Sequence, residues 1–231
     1  MPIRIIVRRH AERPSNSKVR EVGDQGLTPV GIQQARKLGR GLRRRFKTTA
    51  RQPIFSSTPR PRAVQTAENE IKGGKFNQRV HILKDFPGLT RASAKKDPVL
   101  REQLKELAKK SNFEIIPRWI RGEISAELLL TPNEITKSAV HYLKILRRKG
   151  ALTRKKIYIE HINHDTTIAA LLHTFLGITP SGVRRGTTNN PSSFAYLEGI
   201  EFSLGKRVFL KFRKKKYDIT AKFEEWAEKD R

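Results

Sequence analysis

The 231 residues suffice for one core with an insertion rather than two independent domains, and a composition 36% hydrophobic and 31% charged is that of a soluble globular chain. No apolar run approaches the ~20 residues of a membrane-spanning helix, and the stretch after Met1, interrupted by Arg4, falls short of the ~7–15-residue core of a secretory signal. The absence of cysteine excludes disulfides, thiolate metal sites and a cysteine nucleophile and makes the cytoplasm the expected location, while a net charge of +27 implies attraction to polyanions or highly phosphorylated small molecules.

Ile3–Val7 reads as a first strand. From Pro29 to Phe46 the apolar positions Val30, Ala35, Leu38, Leu42 and Phe46 recur at helical spacing, with Thr28 placed to cap the helix and Pro29 to open it. Pro53–Ser56 suggests a second strand, and Thr58-Pro59 repeats the cap-then-proline signal ahead of a helix through about Ile71. Arg79–Leu83 is a third strand, Glu134–Lys149 a crossover helix, Ile157–His161 a fourth strand and Thr166–Leu176 a helix ended by Gly177. Phe194–Phe202 and Arg207–Arg213 alternate as two closing strands before a last amphipathic helix near Ala221–Lys229.

This alternation predicts an α/β fold: a three-layer sandwich with a mostly parallel central sheet and helices on both faces. Residues 86–130 break the rhythm with a charged helix at Val99–Lys110 and an irregular piece around Pro117–Trp119, and read as an inserted, largely helical cap. The expected core is therefore 1–85 with 131–231. Cations are spread along the chain, with runs at Arg43–Arg45, Arg147–Lys149, Arg154–Lys156 and Lys214–Lys216, as on a generally basic solvated surface.

Three separated segments each leave a predicted strand: Arg9-His10, Ser57-Thr58-Pro59 leading to Arg62, and Asn163-His164-Asp165. Ligands of open α/β sheets bind beyond the carboxyl ends of the strands, so the three can share one crevice. Two imidazoles, several guanidiniums and a carboxylate are what phosphoryl transfer through histidine needs: a nucleophile, cations for the phosphoryl oxygens and a proton donor for the leaving alcohol. Singly, each has a plain reading: Arg9 and Arg13 as surface charge, Asp165 and Thr58-Pro59 as helix starts. His161 and His164 form an H-x-x-H pair, but no further ligand cluster supports a metal, and none is expected.

Arg9-His10-Ala11-Glu12-Arg13-Pro14 is similar to the RHGxRxP signature of the histidine phosphatase superfamily, and of its histidine acid phosphatase branch in particular, with Ala11 standing for the glycine. The resemblance continues through Gly26-Leu27-Thr28, Gly31, Leu38-Gly39, Arg43 and Arg45-Phe46, then Ser57-Thr58 with Arg62, and ends at His164-Asp165 with Thr167, covering roughly residues 3–71 and 157–176. It implies that His10 is transiently phosphorylated, that Arg9, Arg13, Arg62 and His164 bind the phosphoryl oxygens, and that Asp165 protonates the leaving oxygen, with no cofactor. Asp85 and Glu12 are rival donors, since a mutase-like branch takes its carboxylate from a different loop.

The resulting expectation is a metal-independent phosphatase acting on a phosphorylated, anionic small molecule, with Arg91, Lys95, Lys96, Arg118 and Arg121 of the cap available to further anionic groups. Two alternatives stand beside it. One is a phosphoglycerate mutase-like phosphotransferase; the other is a weakly active member whose basic surface binds nucleic acid or another polyanion.

Overall fold

The computed structural model describes residues 3–14, 26–46, 52–83, 89, 92–110, 112–152, 156–178 and 195–229. In chain order they form β1 (Ile3–Arg9), α1 (Pro29–Arg45), β2 (Ile54–Ser57), α2 (Pro61–Gly74), β3 (His81–Ile82), α3 (Ala92–Lys96), α4 (Pro98–Lys109), α5 (Asn112–Ile120), α6 (Pro132–Ala151), β4 (Tyr158–Asn163), α7 (Asp165–Leu176), β5 (Gly199–Leu204), β6 (Val208–Phe212), β7 (Lys215–Asp218) and α8 (Thr220–Glu228). They group into two compact units, one of Met1–Lys84, Val140–His164 and Tyr196–Arg231, the other of Asp85–Ala139 and Asp165–Ala195.

The first unit is built on a seven-stranded sheet in the order β3-β2-β4-β1-β5-β6-β7. β3, β2, β4 and β1 are parallel, and β5, β6 and β7 extend the sheet antiparallel. The sheet is therefore mixed, and connection length explains where it changes: helices separate β1, β2 and β4, as parallel crossovers require, whereas residues 205–207 and 213–214 suffice to turn β5 into β6 and β6 into β7.

Strand alternation gives the sheet two faces. Ile6, Phe55 and Tyr158 pack with Leu42 of α1, Ile71 of α2 and Phe76, while Ile162 packs on Ala63 and Ala67 of α2. The opposite side of β1 carries Ile3, whose side chain fills the space beside Gly150 in the last turns of α6. Helices thus flank both faces. Phe55, fully buried between β2 and the helices, stabilises this layer by about 3–5 kcal/mol relative to alanine.

Local chemistry sets the helix ends. The Thr28 hydroxyl accepts from the Gly31 N–H with Pro29 in the first turn, and Arg43, Arg44 and Arg45 lie in the last turn of α1, where the helix dipole favours cations. α1 and α2 nearly touch: a Cβ on Gly39 would lie 2.0 Å from the Glu70 carbonyl oxygen, and one on Gly73 2.2 Å from that of Arg36.

In the second unit, Asp97 caps α4 by accepting from the Val99 and Leu100 N–H groups. α5 packs against α7, Thr136 and Thr174 share a hydroxyl hydrogen bond at 3.0 Å, and the Trp119 indole donates to the Leu130 carbonyl at 2.7 Å. Gly177, at φ +65, ends α7.

Three local expectations give way. The piece around Pro117–Trp119 is helical, because a proline late in a short helix forfeits one backbone bond while Ile116, Trp119 and Ile120 are buried. α2 opens at Pro61 rather than Pro59, with Arg60 extended at φ −72, ψ 132 as a residue before proline prefers, so Thr58 is not its cap. β7 overlaps what the sequence presents as a cationic run, since an outer strand can expose lysines. Phe194, Asp85 and Arg91 lie outside the described residues.

Candidate active site

Register brings the site together. Arg9 at the end of β1 pairs with Asn163 of β4, and Ser57 of β2 pairs with Ile162. The next residues continue the ladder: the His10 N–H donates to the Asn163 carbonyl at 3.0 Å and the Thr58 N–H to the Ile162 carbonyl at 3.1 Å. Because three neighbouring parallel strands end side by side, His10, Thr58 and His164 become neighbours at the carboxyl edge of the sheet.

His10 is buried, and its Nδ1 lies 2.7 Å from the Ala11 carbonyl oxygen. A carbonyl only accepts, so Nδ1 carries the proton and Nε2 presents a lone pair. Arg62, in the first turn of α2, donates its Nε–H to that Nε2 at 3.1 Å. Burial first, then the positive charges of Arg62 and Arg9, hold His10 well below the usual histidine pKa, with a smaller contribution from Arg13, so the ring is neutral at pH 7. A neutral, tautomerically fixed imidazole among guanidiniums is a nucleophile beside an anion site.

His164 completes the group. Its ring centroid is 5.4 Å from that of His10 in an edge-on arrangement; Nε2 is 3.3 Å from the Thr58 hydroxyl and Nδ1 3.5 Å from a terminal nitrogen of Arg62. One guanidinium therefore touches both histidines. Thr66 secures Arg62 and the loop after His10 together, donating to the Arg62 carbonyl at 2.7 Å and accepting from the Ala11 N–H at 3.0 Å. The Arg9 guanidinium lies 4.5 Å from the centre of the Tyr196 ring, which is 6.2 Å from that of His10.

The structure thus brings together His10, Arg9, Arg62 and His164, and sets Arg13 within electrostatic range of His10. Asp165, buried as the first residue of α7, belongs to the second unit and accepts from the Thr166 N–H at 3.0 Å, the arrangement of a helix start. The Glu12 carboxylate accepts from the Thr28 hydroxyl at 3.1 Å. Asp85 is outside the described residues. His161 is buried between Ser56, 3.0 Å from its Nδ1, and Asn163, 3.2 Å from its Nε2; burial lowers its pKa to about 3, and it packs as a neutral ring. Among the described residues no three metal-ligating side chains cluster, and a cavity of about 600 Å³ within the second unit includes none of the residues above.

Thr66 and Tyr196 were not legible as site residues, and Thr58 had the look of a cap. Thr66 lies four residues after Arg62 on the same helix face, a spacing that points to it once Arg62 is chosen. Tyr196 carries no such signal, because only folding brings the chain before β5 back beside Arg9.

Residues 5–113 match the family model described as histidine phosphatase superfamily (branch 1). The expected nearer likeness to the acid phosphatase branch is not carried by that match. No curated protein matches the chain. Among solved structures, it is similar to a mycobacterial glucosyl-3-phosphoglycerate phosphatase, 16% identical with a TM-score of 0.56 over 88% of this chain and 91% of that one. A phosphoglycerate mutase from Bacillus anthracis is 14% identical, with a TM-score of 0.56 over 99% and 96%, and a mycobacterial hydrolase is 13% identical, with a TM-score of 0.54 over 94% and 100%. No helix among the described residues is long and apolar enough to cross a membrane. The matched segment and the phosphoglycerate mutase-like fold around it make the chain similar to the histidine phosphatase superfamily.

Proposed function

We propose that this protein is a phosphatase that hydrolyses phosphate monoesters of small anionic alcohols through a phosphohistidine at His10. The observation that carries the reading is the neutral His10 ring, its Nδ1 at the Ala11 carbonyl and its Nε2 at the Arg62 guanidinium. Nε2 attacks phosphorus, the bond from phosphorus to the alcohol oxygen breaks, and that oxygen takes a proton from a carboxylic acid. Water then attacks phospho-His10, losing its proton to the same carboxylate and releasing phosphate and the neutral ring. Arg62 exchanges its bond to Nε2 for bonds to phosphoryl oxygens, joined by Arg9, Arg13 and His164, whose planar forks and ring N–H match charge that grows in the transition state. These groups supply the positive charge from the chain itself, so the reaction is metal-independent.

Asp165 is the proposed donor because it directly follows His164. Glu12 is the weaker rival, its carboxylate being engaged by Thr28; Asp85 is the other. Comparing Asp165→Asn, Asp85→Asn and Glu12→Gln on an aryl phosphate and on an alkyl phosphate identifies it: the true donor's loss is severe on the alkyl ester and mild on the aryl ester, whose leaving group needs little protonation.

The deciding experiment is phosphate release from p-nitrophenyl phosphate in chelator-treated buffer. Turnover that His10→Ala abolishes supports the reading; undiminished turnover in that variant overturns it. Transfer of the trapped phosphate to a phosphoglycerate in preference to water assigns the mutase-like activity instead. Contact with nucleic acid is a separate reading, favoured by α1, where Lys37, Arg40 and Arg44 are exposed in a helix without an acidic residue. It predicts RNA binding that weakens steeply with salt and survives His10→Ala.

A further inference from the structure

Beside the site, on the other face of β1, lies a largely buried ionic group that the proposed chemistry does not use. Arg8 projects from the strand towards β4, where its Nε–H donates to the Glu160 carboxylate; Glu160 is fully buried and also accepts from the Tyr158 hydroxyl at 3.3 Å. Glu70 of α2 is buried beside the pair. A buried ion pair is expensive to desolvate and contributes little stability relative to well-packed apolar residues, so its presence two residues from the nucleophile calls for another role.

The second arm of Arg8 supplies one. Its Nη1 donates to the Leu197 carbonyl at 2.6 Å. Leu197 has φ +62, a left-handed conformation that a leucine seldom adopts and that needs outside support. A neighbouring backbone bond, the Arg9 N–H to the Glu198 carbonyl at 2.8 Å, ties the same turn to β1. The residue before Leu197 is Tyr196, whose ring lies against the Arg9 guanidinium and near His10. A chain of direct contacts therefore runs from Glu160 through Arg8 and the Leu197 turn to the aromatic wall of the anion site.

We propose that Arg8 is a positioning residue: anchored by Glu160, it holds the Leu197 turn so that Tyr196 presses Arg9 into place for the phosphoryl group attacked by His10. Tyr196 itself borders the bound phosphate. An arginine is required, because one nitrogen must meet the carboxylate while another reaches the carbonyl; a lysine offers a single point charge. This inference rests on the phosphatase reading of the His10 site, and its test is read both with and without turnover.

Removing Arg8 alone would strand the Glu160 charge, so the informative variant is Arg8→Met/Glu160→Met, which replaces the pair with apolar chains of similar length. It is compared with Tyr196→Leu and the triple variant for melting temperature, for kcat and KM on p-nitrophenyl phosphate, and for the Kd of inorganic phosphate. The expected result is a melting temperature at or above that of the parent, a roughly tenfold weaker phosphate Kd with a matching loss of kcat/KM in both variants, and no further loss in the triple. A folded Arg8→Met/Glu160→Met protein that binds phosphate like the parent, or losses that add in the triple variant, overturns the inference. If the parent binds phosphate but does not turn over the ester, the phosphatase reading fails while the Kd comparison still decides the role of Arg8. If it does neither, both fall.

Discussion

The Nε of Arg62 and the Nε2 of His10 meet at 3.1 Å, so the ring nitrogen that carries no proton faces a cation rooted in the first turn of a helix. Helix placement matters because the guanidinium's position is then set by the packing of α2 against the sheet and by the hydroxyl of Thr66, not by a loop. Arg62→Lys keeps the charge but loses the fork that spans both histidines. Its kcat/KM on an aryl phosphate is expected to fall by about 100-fold or more, with a melting temperature close to that of the parent.

The protonation state of His10 predicts the pH profile. Protonation removes the attacking lone pair, and because burial and the Arg62 and Arg9 charges depress the folded-state pKa below 6.5, the ring stays neutral as pH falls through that value. The acid limb of kcat/KM is expected well below pH 6.5. Arg9→Met removes one of the depressing charges and is expected to move that limb upward, as rate profiles from pH 4 to 8 would reveal.

Gly39 and Gly41 are two residues apart in α1 and should respond in opposite directions to alanine. A Cβ at Gly39 meets the Glu70 backbone, which no rotamer change relieves, whereas nothing lies within 4 Å of one at Gly41. Gly39→Ala is expected to cost about 1–3 kcal/mol in urea unfolding, and Gly41→Ala to stabilise by about 0.5–1 kcal/mol.

Glu70 lies fully buried with both carboxyl oxygens lacking a hydrogen-bond partner among the described residues, and burial, with the charge of Glu160 adding, raises its pKa well above 4.5. The folded protein therefore keeps a proton that the unfolded chain gives up, so this group costs stability as pH rises above 4.5. Glu70→Gln is expected to raise the melting temperature at pH 7 and to leave it nearly unchanged at pH 4, a difference that scanning calorimetry at the two pH values measures.

The strand candidates and the capped start of α1 were legible from local patterns, alternation and a Thr-Pro cap, and the candidates His10, Arg62 and His164 from three segments that leave predicted strands and together resemble a family signature. What escaped depends on tertiary approach. Thr58 carries the local signature of a helix cap, yet a second proline moves the helix start to Pro61 and leaves its hydroxyl to His164. Pro117 looks like a breaker until the burial of Ile116 and Trp119 is known. Arg8 lies just past the expected first strand and Glu160 inside the expected fourth, and only the parallel pairing of β1 with β4 places one beside the other.

The two outer strands bear on how the protein behaves when concentrated. A sheet that ends in a free backbone edge can be lengthened by another copy, yet β3 offers only His81 and Ile82, and β7 lines its rim with the exposed Lys215 and Lys216. A second molecule adding itself to that rim would bring lysine against lysine. The surplus of positive charge thus works against ladder growth between molecules, a protection that added salt would weaken.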